Sequence, residues 1–149
     1  MIIVARTDPH DPQATALLKQ SHALMQELFP PEENYYLEVG ELVADDIHFY
    51  TARIGEDIVG TGALRVCAGY GEIKSMFVDQ NTRGKGVADA ILRQIEDQAR
   101  DLELPWLKLE TGNILHAAQK LYARHGFVPC GPFGDYPAVK SSVFMEKPL

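Results

Sequence analysis

The sequence predicts an α/β fold, a mixed sheet of six or seven strands with helices on both faces. Three observations predict it. Apolar residues recur at helical spacing in three separated stretches, strand-like apolar runs fill the intervals, and Gly, Pro, Asn and Asp mark the junctions. The resulting order is strand, helix, strands, helix, strand, helix, strands, which suits neither a purely parallel nor a purely antiparallel sheet.

Residues 2–5 read as a short strand. Asp11 then offers a capping carboxylate and Pro12 a first-turn proline, opening a helix whose stripe is Leu17, Leu18, Ser21, Leu24, Met25 and Leu28. Pro30-Pro31 stops it. From 32 to 46, Tyr35, Tyr36, Leu37, Val39 and Leu42 keep no clean period beyond one short helix. Residues 47–54 and 58–66 form a hairpin through Gly55-Glu56-Asp57, and Gly69-Tyr70-Gly71 turns into a strand over 72–79. The next helix runs from Gly84, with Val87, Ala88, Ile91, Leu92, Ile95, Ala99 and Leu102 on one face, and ends before Pro105. A strand over 106–110, a helix over 114–125 closed by Gly126, and extended chain from Phe127 through Val143-Phe144-Met145 complete the order.

The chain has 149 residues, 46% hydrophobic and 23% charged, enough to bury a core, and we expect one domain over 1–149. No apolar run reaches membrane-spanning length and the first residues lack the pattern of a signal peptide, so a cytoplasmic protein without membrane partners is expected. A formal charge of −7 opposes binding to nucleic acid, which needs clustered Lys and Arg, and suits a cation such as an amine without identifying one. Cys67 and Cys130 are too few for a disulfide scaffold, and the histidines at 10, 22, 48, 116 and 125 lack ligand spacing. No metal is expected.

The most informative segment is Asn81-Thr82-Arg83-Gly84-Lys85-Gly86-Val87-Ala88, which joins a strand to an amphipathic helix. Free N–H groups and the helix dipole favour an anion at such a junction, glycines admit it to the backbone, and Arg83 and Lys85 add charge. A P-loop is excluded because Gly86 follows Lys85 where Ser or Thr must stand; a dinucleotide fingerprint is excluded because Asp89 occupies its third glycine position. The segment does match Gln/Arg-x-x-Gly-x-Gly/Ala, through Arg83, Gly86 and Ala88. With the preceding run Glu72-Ile73-Lys74-Ser75-Met76-Phe77-Val78-Asp79 and the later Leu121-Tyr122-Ala123-Arg124-His125-Gly126-Phe127, the chain resembles the GNAT superfamily of acetyl-CoA-dependent N-acetyltransferases. The resemblance runs from about residue 47 to the C-terminus. Gly131-Pro132-Phe133-Gly134-Asp135-Tyr136 and Ser142-Val143-Phe144-Met145-Glu146-Lys147 are similar to a bacterial group of small, single-domain members.

The resemblance implies that the fourth and fifth strands splay apart around acetyl-CoA, whose pantetheine arm bonds to backbone near Met76, Phe77 and Val78 and whose pyrophosphate meets Arg83, Gly84, Lys85, Gly86, Val87 and Ala88. A free N–H near Phe77 would stabilise the carbonyl oxygen. Tyr122 stands at the family's tyrosine, implying a general acid for the departing thiolate; the other reading is a core aromatic. Glu72 and Glu110, in that order, are candidates for the base that takes the amine's proton, although Glu72 and Lys74 share a face and can instead form an ion pair. Leu115 replaces a polar residue that many members carry. Asn113 either takes over its pantetheine contact or caps the helix at Ile114. Phe133 and Tyr136 either line the acceptor pocket or sit in a surface loop. The function implied is acetyl transfer to a small primary amine in a ternary complex. An acyl-CoA sensor and a protein or peptide N-acetyltransferase are the alternatives, and the terminal strand offers a homodimer edge.

Overall fold

The computed structural model describes residues 1–149. In chain order its elements are β1 (Ile2–Arg6), α1 (Pro12–Leu28), β2 (Ile47–Ile54), β3 (Asp57–Cys67), β4 (Tyr70–Val78), α2 (Val87–Asp101), β5 (Trp106–Gly112), α3 (His116–Arg124), β6 (Val128–Cys130) and β7 (Ser142–Pro148), with single 3-10 turns at Pro31–Glu33, Val39–Val43 and Gln80–Thr82. The strands form one seven-stranded sheet in the order β1-β2-β3-β4-β5-β7-β6. Every neighbouring pair is antiparallel except β4 and β5, which are parallel. This is the mixed α/β sheet that the order of elements predicts.

Asp11 caps α1 as expected: its Oδ1 accepts from the backbone N–H groups of Gln13 at 2.9 Å and Ala14 at 3.2 Å, an interaction worth about 1 kcal/mol. Gln13 then ties the helix to the β2–β3 hairpin, accepting from the Ile58 N–H at 2.9 Å. α1 buries Ala14, Leu17, Leu18 and His22, and Ala14 and Leu18 pack with Leu42, Phe49 and Ala63 on one face of the sheet. Each large side chain so buried contributes roughly 1.5–3 kcal/mol. Leu28 departs from the expected stripe and is exposed, while His22 takes an inward position stacked on Tyr36 at 4.0 Å.

α2 and α3 cover the opposite face, where Ile91, Leu92, Ile95, Leu121, Tyr122 and Phe127 join Leu64, Ile73, Leu107 and Leu109 in the main core. α2 lies unusually close to β3 because Gly62 has no side chain: a Cβ there would stand 2.5 Å from Ile91 and 2.7 Å from the Met76 sulfur. That close approach brings the start of α2 beside the end of β4.

Several expected boundaries move. β4 starts at Tyr70, because pairing continues from Cys67↔Tyr70 and leaves only a two-residue turn. α2 starts at Val87 and not at Gly84, since Gly84 and Gly86 both adopt left-handed φ, 81° and 84°. β5 extends past Glu110 to Gly112, held by β7. α3 starts at His116, so Asn113 does not cap it; Leu115 occupies the cap position and no side chain caps the helix. Gln119 reaches back instead, donating to the carbonyls of Gly112 at 2.9 Å and Asn113 at 3.2 Å. The terminal strand is not an edge. β7 lies between β5 and β6, and the edges are β1 and the short, proline-bearing β6. Cys67 and Cys130 are free and half-buried.

Candidate active site at the strand split

β4 and β5 pair at two positions, Gly71↔Leu107 and Glu72↔Lys108, and then part. From Ile73 onward the β5-facing edge of β4 has no partner strand. A bulge causes this. Register shifts between Thr61 and Ala63 opposite Ser75, whose φ of 57° is left-handed, and Thr61 Oγ1 pins the kink by donating to the Ser75 carbonyl at 2.8 Å. A bulge bends its strand and re-aims the residues beyond it. Met76, Phe77 and Val78 therefore lie on β4 past the point of divergence, with Phe77 opposite Thr61 and Val78 opposite Gly60. Non-glycine residues at positive φ cost on the order of 1–3 kcal/mol, a strain found most often at functional sites.

Beyond β4, Asp79 turns the chain by accepting from the Asn81 N–H at 3.1 Å. Arg83, Gly84, Lys85 and Gly86 follow. Gly86 occupies the cap position of α2 and no side chain caps it, so the first N–H groups of the helix have no internal acceptor. A Cβ at Gly84 or Gly86 would meet nothing within 4 Å, which leaves the approach open. Val87 is 2% exposed and points into the core, so it and Ala88 offer backbone to this surface, while Arg83 and Lys85 project as solvent-exposed cations. Uncapped amides, dipole and cations together suit an anion.

Tyr122 approaches from the α2 face. Its ring is buried edge-on to Phe127, centroids 5.8 Å apart, and burial together with the charge of Glu110 pushes its phenol well above the ordinary value, so it stays protonated.

The α1 face is different. The parallel register places Glu72 beside Lys108 and carries Lys74 and Glu110 to facing positions across the divergence. Glu72, 4% exposed, accepts a hydrogen bond from the Tyr136 hydroxyl and lies 3.7 Å from Lys74 Nζ. Lys74 Nζ also donates to the Tyr136 oxygen at 2.8 Å and the Tyr35 carbonyl at 2.9 Å. Glu110 accepts from Ser142 Oγ at 2.8 Å, and burial raises its carboxyl above the ordinary value while Ser142 and Lys74 pull it back. Tyr35 packs edge-on to Tyr136 at 5.3 Å, and Phe133 does so at the same distance, so the segment between β6 and β7 is folded into the cleft. The Ser75 and Tyr35 hydroxyls are buried without hydrogen-bond partners.

The sequence model of the Acetyltransferase (GNAT) family matches residues 13–127. The IAA acetyltransferase of Azospirillum brasilense is 38% identical over 150 residues, covering 99% of this chain and 98% of the relative. The chain belongs to the GNAT acetyltransferase family. The N-acetyltransferase YedL of Escherichia coli is 36% identical over 152 residues, covering 100% of this chain and 96% of its own. A Klebsiella pneumoniae structure described as an acyl-CoA N-acyltransferase superposes with a TM-score of 0.84 at 31% identity, covering 100% of this chain and 98% of the other. The protein is thus an N-acetyltransferase with a GNAT fold.

Within this GNAT chain, Glu72 stands at the last β4–β5 pair, Met76, Phe77 and Val78 lie past it on β4, and Glu110 lies past it on β5, its charge acting on the buried Tyr122; Asn113 lies just past the end of β5, its N–H bonded to the Ser141 carbonyl at 2.8 Å. Sequence reasoning did not single out Ser75, Ser142 or Tyr35 for the site. Ser142 lies 32 residues from its partner Glu110, and Tyr35 sits in the unperiodic stretch, so no local pattern marks either. No helix is long and apolar enough to cross a membrane.

Proposed function

We propose that the chain transfers an acetyl group from acetyl-CoA to the primary amine of a small molecule, by direct attack in a ternary complex. One observation supports this reading: the charge of Glu110, on β5 beyond its last pair with β4, acts on the buried, protonated phenol of Tyr122. We read residues 1–149 as one domain, a reading supported by strands from both ends of the chain sharing one sheet.

Acetyl-CoA supplies an activated acetyl carbon and a thiolate leaving group. The uncapped amides of Gly86, Val87 and Ala88, flanked by Gly84 and by the cations of Arg83 and Lys85, hold its pyrophosphate. The unpaired edge at Met76, Phe77 and Val78 bonds to the pantetheine arm as a strand would, and the Asn113 side chain is available on the opposite side. An N–H near Phe77 stabilises charge on the carbonyl oxygen.

Glu110 is the better base. Glu72 is already committed to Tyr136 and Lys74, whereas Glu110 has one hydroxyl partner, no ion pair, and an affinity for protons raised toward working pH. The order of preference given by sequence is therefore reversed. Glu110 takes a proton from the bound ammonium; the freed amine nitrogen bonds to the acetyl carbon as the carbon–sulfur bond breaks, and the nitrogen then loses its second proton to solvent to give the neutral amide. Tyr122 hydrogen-bonds the departing sulfur and hands it a proton, recovering one from solvent as Glu110 returns its own. One proton is released per amide formed.

A CoA-release assay across amino acids, alkyl- and arylalkylamines, polyamines, aminoglycosides and short peptides, with mass detection of product, tests the reading. We expect an acetylated small amine. Glu110→Gln should lower kcat at neutral pH by about a hundredfold and lose part of that effect at high pH, where solvent deprotonates the amine. Acetylation of peptides alone, or CoA binding without any product, would overturn it.

A further inference from the structure

We infer that the acceptor is a primary amine with no carboxylate beside its ammonium, held between Glu110 and the Tyr35 hydroxyl with its apolar body along the ring of Tyr136. The inference rests on reading the split as the acetyl-transfer site. It comes from an inventory of charge on the α1 face. Lys74 is paired with Glu72, and its N–H groups are directed to the Tyr35 carbonyl and the Tyr136 oxygen. Lys108 is paired with Glu146 at 3.2 Å, and its Nζ lies 5.6 Å above the Tyr70 ring and 5.7 Å above that of Phe133. Arg65, opposite Glu72 in the β3–β4 register, has Asp46 at 3.8 Å, so each of these three cations has a carboxylate of its own. Glu110 is left over, with a hydroxyl partner and no cation.

Tyr35 supplies the second unmet need. Its hydroxyl is buried and has no partner, and the charges of Glu110, Glu33 and Glu32 bear on it. A buried phenol oxygen and a half-buried carboxylate with no ion pair are both costly when empty, and both accept hydrogen bonds from an ammonium, which has three to donate. Around them stand the rings of Tyr35, Tyr136, Phe133 and Phe144, in edge contacts of 5.3–5.7 Å, an apolar wall suited to a hydrocarbon or aryl tail. A carboxylate next to the amine would face Glu110 and Glu72, with Lys74, Lys108 and Arg65 already paired, and like charges so placed are strongly disfavoured.

Two matched pairs test this, 2-phenylethylamine against L-phenylalanine and pentylamine against L-norleucine, each differing in the carboxylate alone. Binding to CoA-saturated protein is read by calorimetry, and acetylation separately by CoA release. We expect each amine to bind about a hundredfold more tightly than its amino acid, and L-phenylalanine methyl ester, which masks the charge, to recover most of the loss. Tyr35→Phe keeps the backbone contact to Lys74 and should weaken amine binding about fivefold to tenfold while acetyl-CoA binds unchanged. Equal or tighter binding of the amino acids, failure of both amines to bind, or an unaltered Tyr35→Phe overturns the inference. Amines that bind without being acetylated leave it standing and sink the proposed transfer; acetylated amino acids do the reverse.

Discussion

On the α2 face of the split, the groups that do the work belong mostly to the main chain: the unpaired edge of β4 past Ser75 and the uncapped start of α2 at Gly86. On the α1 face they are side chains brought together from five places, namely Tyr35, the pair Glu72 and Lys74, Glu110, Tyr136 and Ser142. Main-chain groups are the same whatever the sequence, so the first face needs only the right conformations. The second depends on individual residues that can be exchanged one by one without disturbing the first. A single scaffold can therefore keep one donor while its acceptor side changes.

Breaking the chemistry where the two faces meet should give the largest effect. Tyr122→Phe retains the buried ring and removes one hydroxyl, so kcat should fall about a hundredfold to ten-thousandfold with acetyl-CoA affinity unchanged, as checked by steady-state kinetics and calorimetry. Parental turnover with chemistry rate-limiting would make that hydroxyl structural. Next, damage confined to the α2 face should separate cofactor from acceptor. Gly86→Asp forces a side chain into a left-handed conformation and adds negative charge at the anion site, and should weaken acetyl-CoA about tenfold to a hundredfold while amine binding by the CoA-free protein survives. Equal loss of both ligands would show that the faces are not independent.

The smallest effect sharpens the comparison through stability. The Glu110 carboxyl holds its proton more tightly in the folded protein than in the unfolded chain, where it has its ordinary value of 4.5. As pH rises through 4.5 the unfolded state therefore binds fewer protons than the folded one, and stability falls until the folded carboxyl also ionises. Above that window the full cost remains. Glu110→Gln removes it, so thermal melts at neutral pH should show a higher Tm than the parent, by roughly 2–4 °C for each kcal/mol relieved, with the gain vanishing at low pH. A lower Tm at neutral pH would mean that Ser142 and Lys74 repay the burial of the charge, and Glu110 would lose its main qualification as base.

This contrast also explains what the sequence made legible. The glycines at 84 and 86, the apolar period of α2 and the Leu121-Tyr122 pair are local patterns, so the fold class and the family could be read from the chain, with the 83–88 loop and Tyr122 picked out as candidates. Boundaries failed where distant partners decide them. β5 is prolonged by β7, and α3 is shortened when Gln119 takes the carbonyls of Gly112 and Asn113. The order of β5, β7 and β6 was equally hidden, because no turn signal tells a terminal strand to insert between two others. On the α1 face, the Lys74 pairing of Glu72 was legible from the i, i+2 spacing, but its hydrogen bond from Tyr136, sixty-four residues beyond, was not.

The two residue pairs that join β4 to β5 have a mechanical meaning. Cut there, the molecule becomes a four-stranded piece carrying β1 to β4 and a three-stranded piece carrying β5, β7 and β6, fastened at one end like the arms of a clothes peg. On the proposed reading, a ligand strand laid between the arms would supply hydrogen bonds that the chain does not make for itself, and cofactor occupancy would stitch the halves into one cooperative unit. Amides along the free edge from Met76 to Val78 should be the ones whose hydrogen exchange slows most when acetyl-CoA binds, and opening between the arms should be the least costly way for the empty enzyme to come apart.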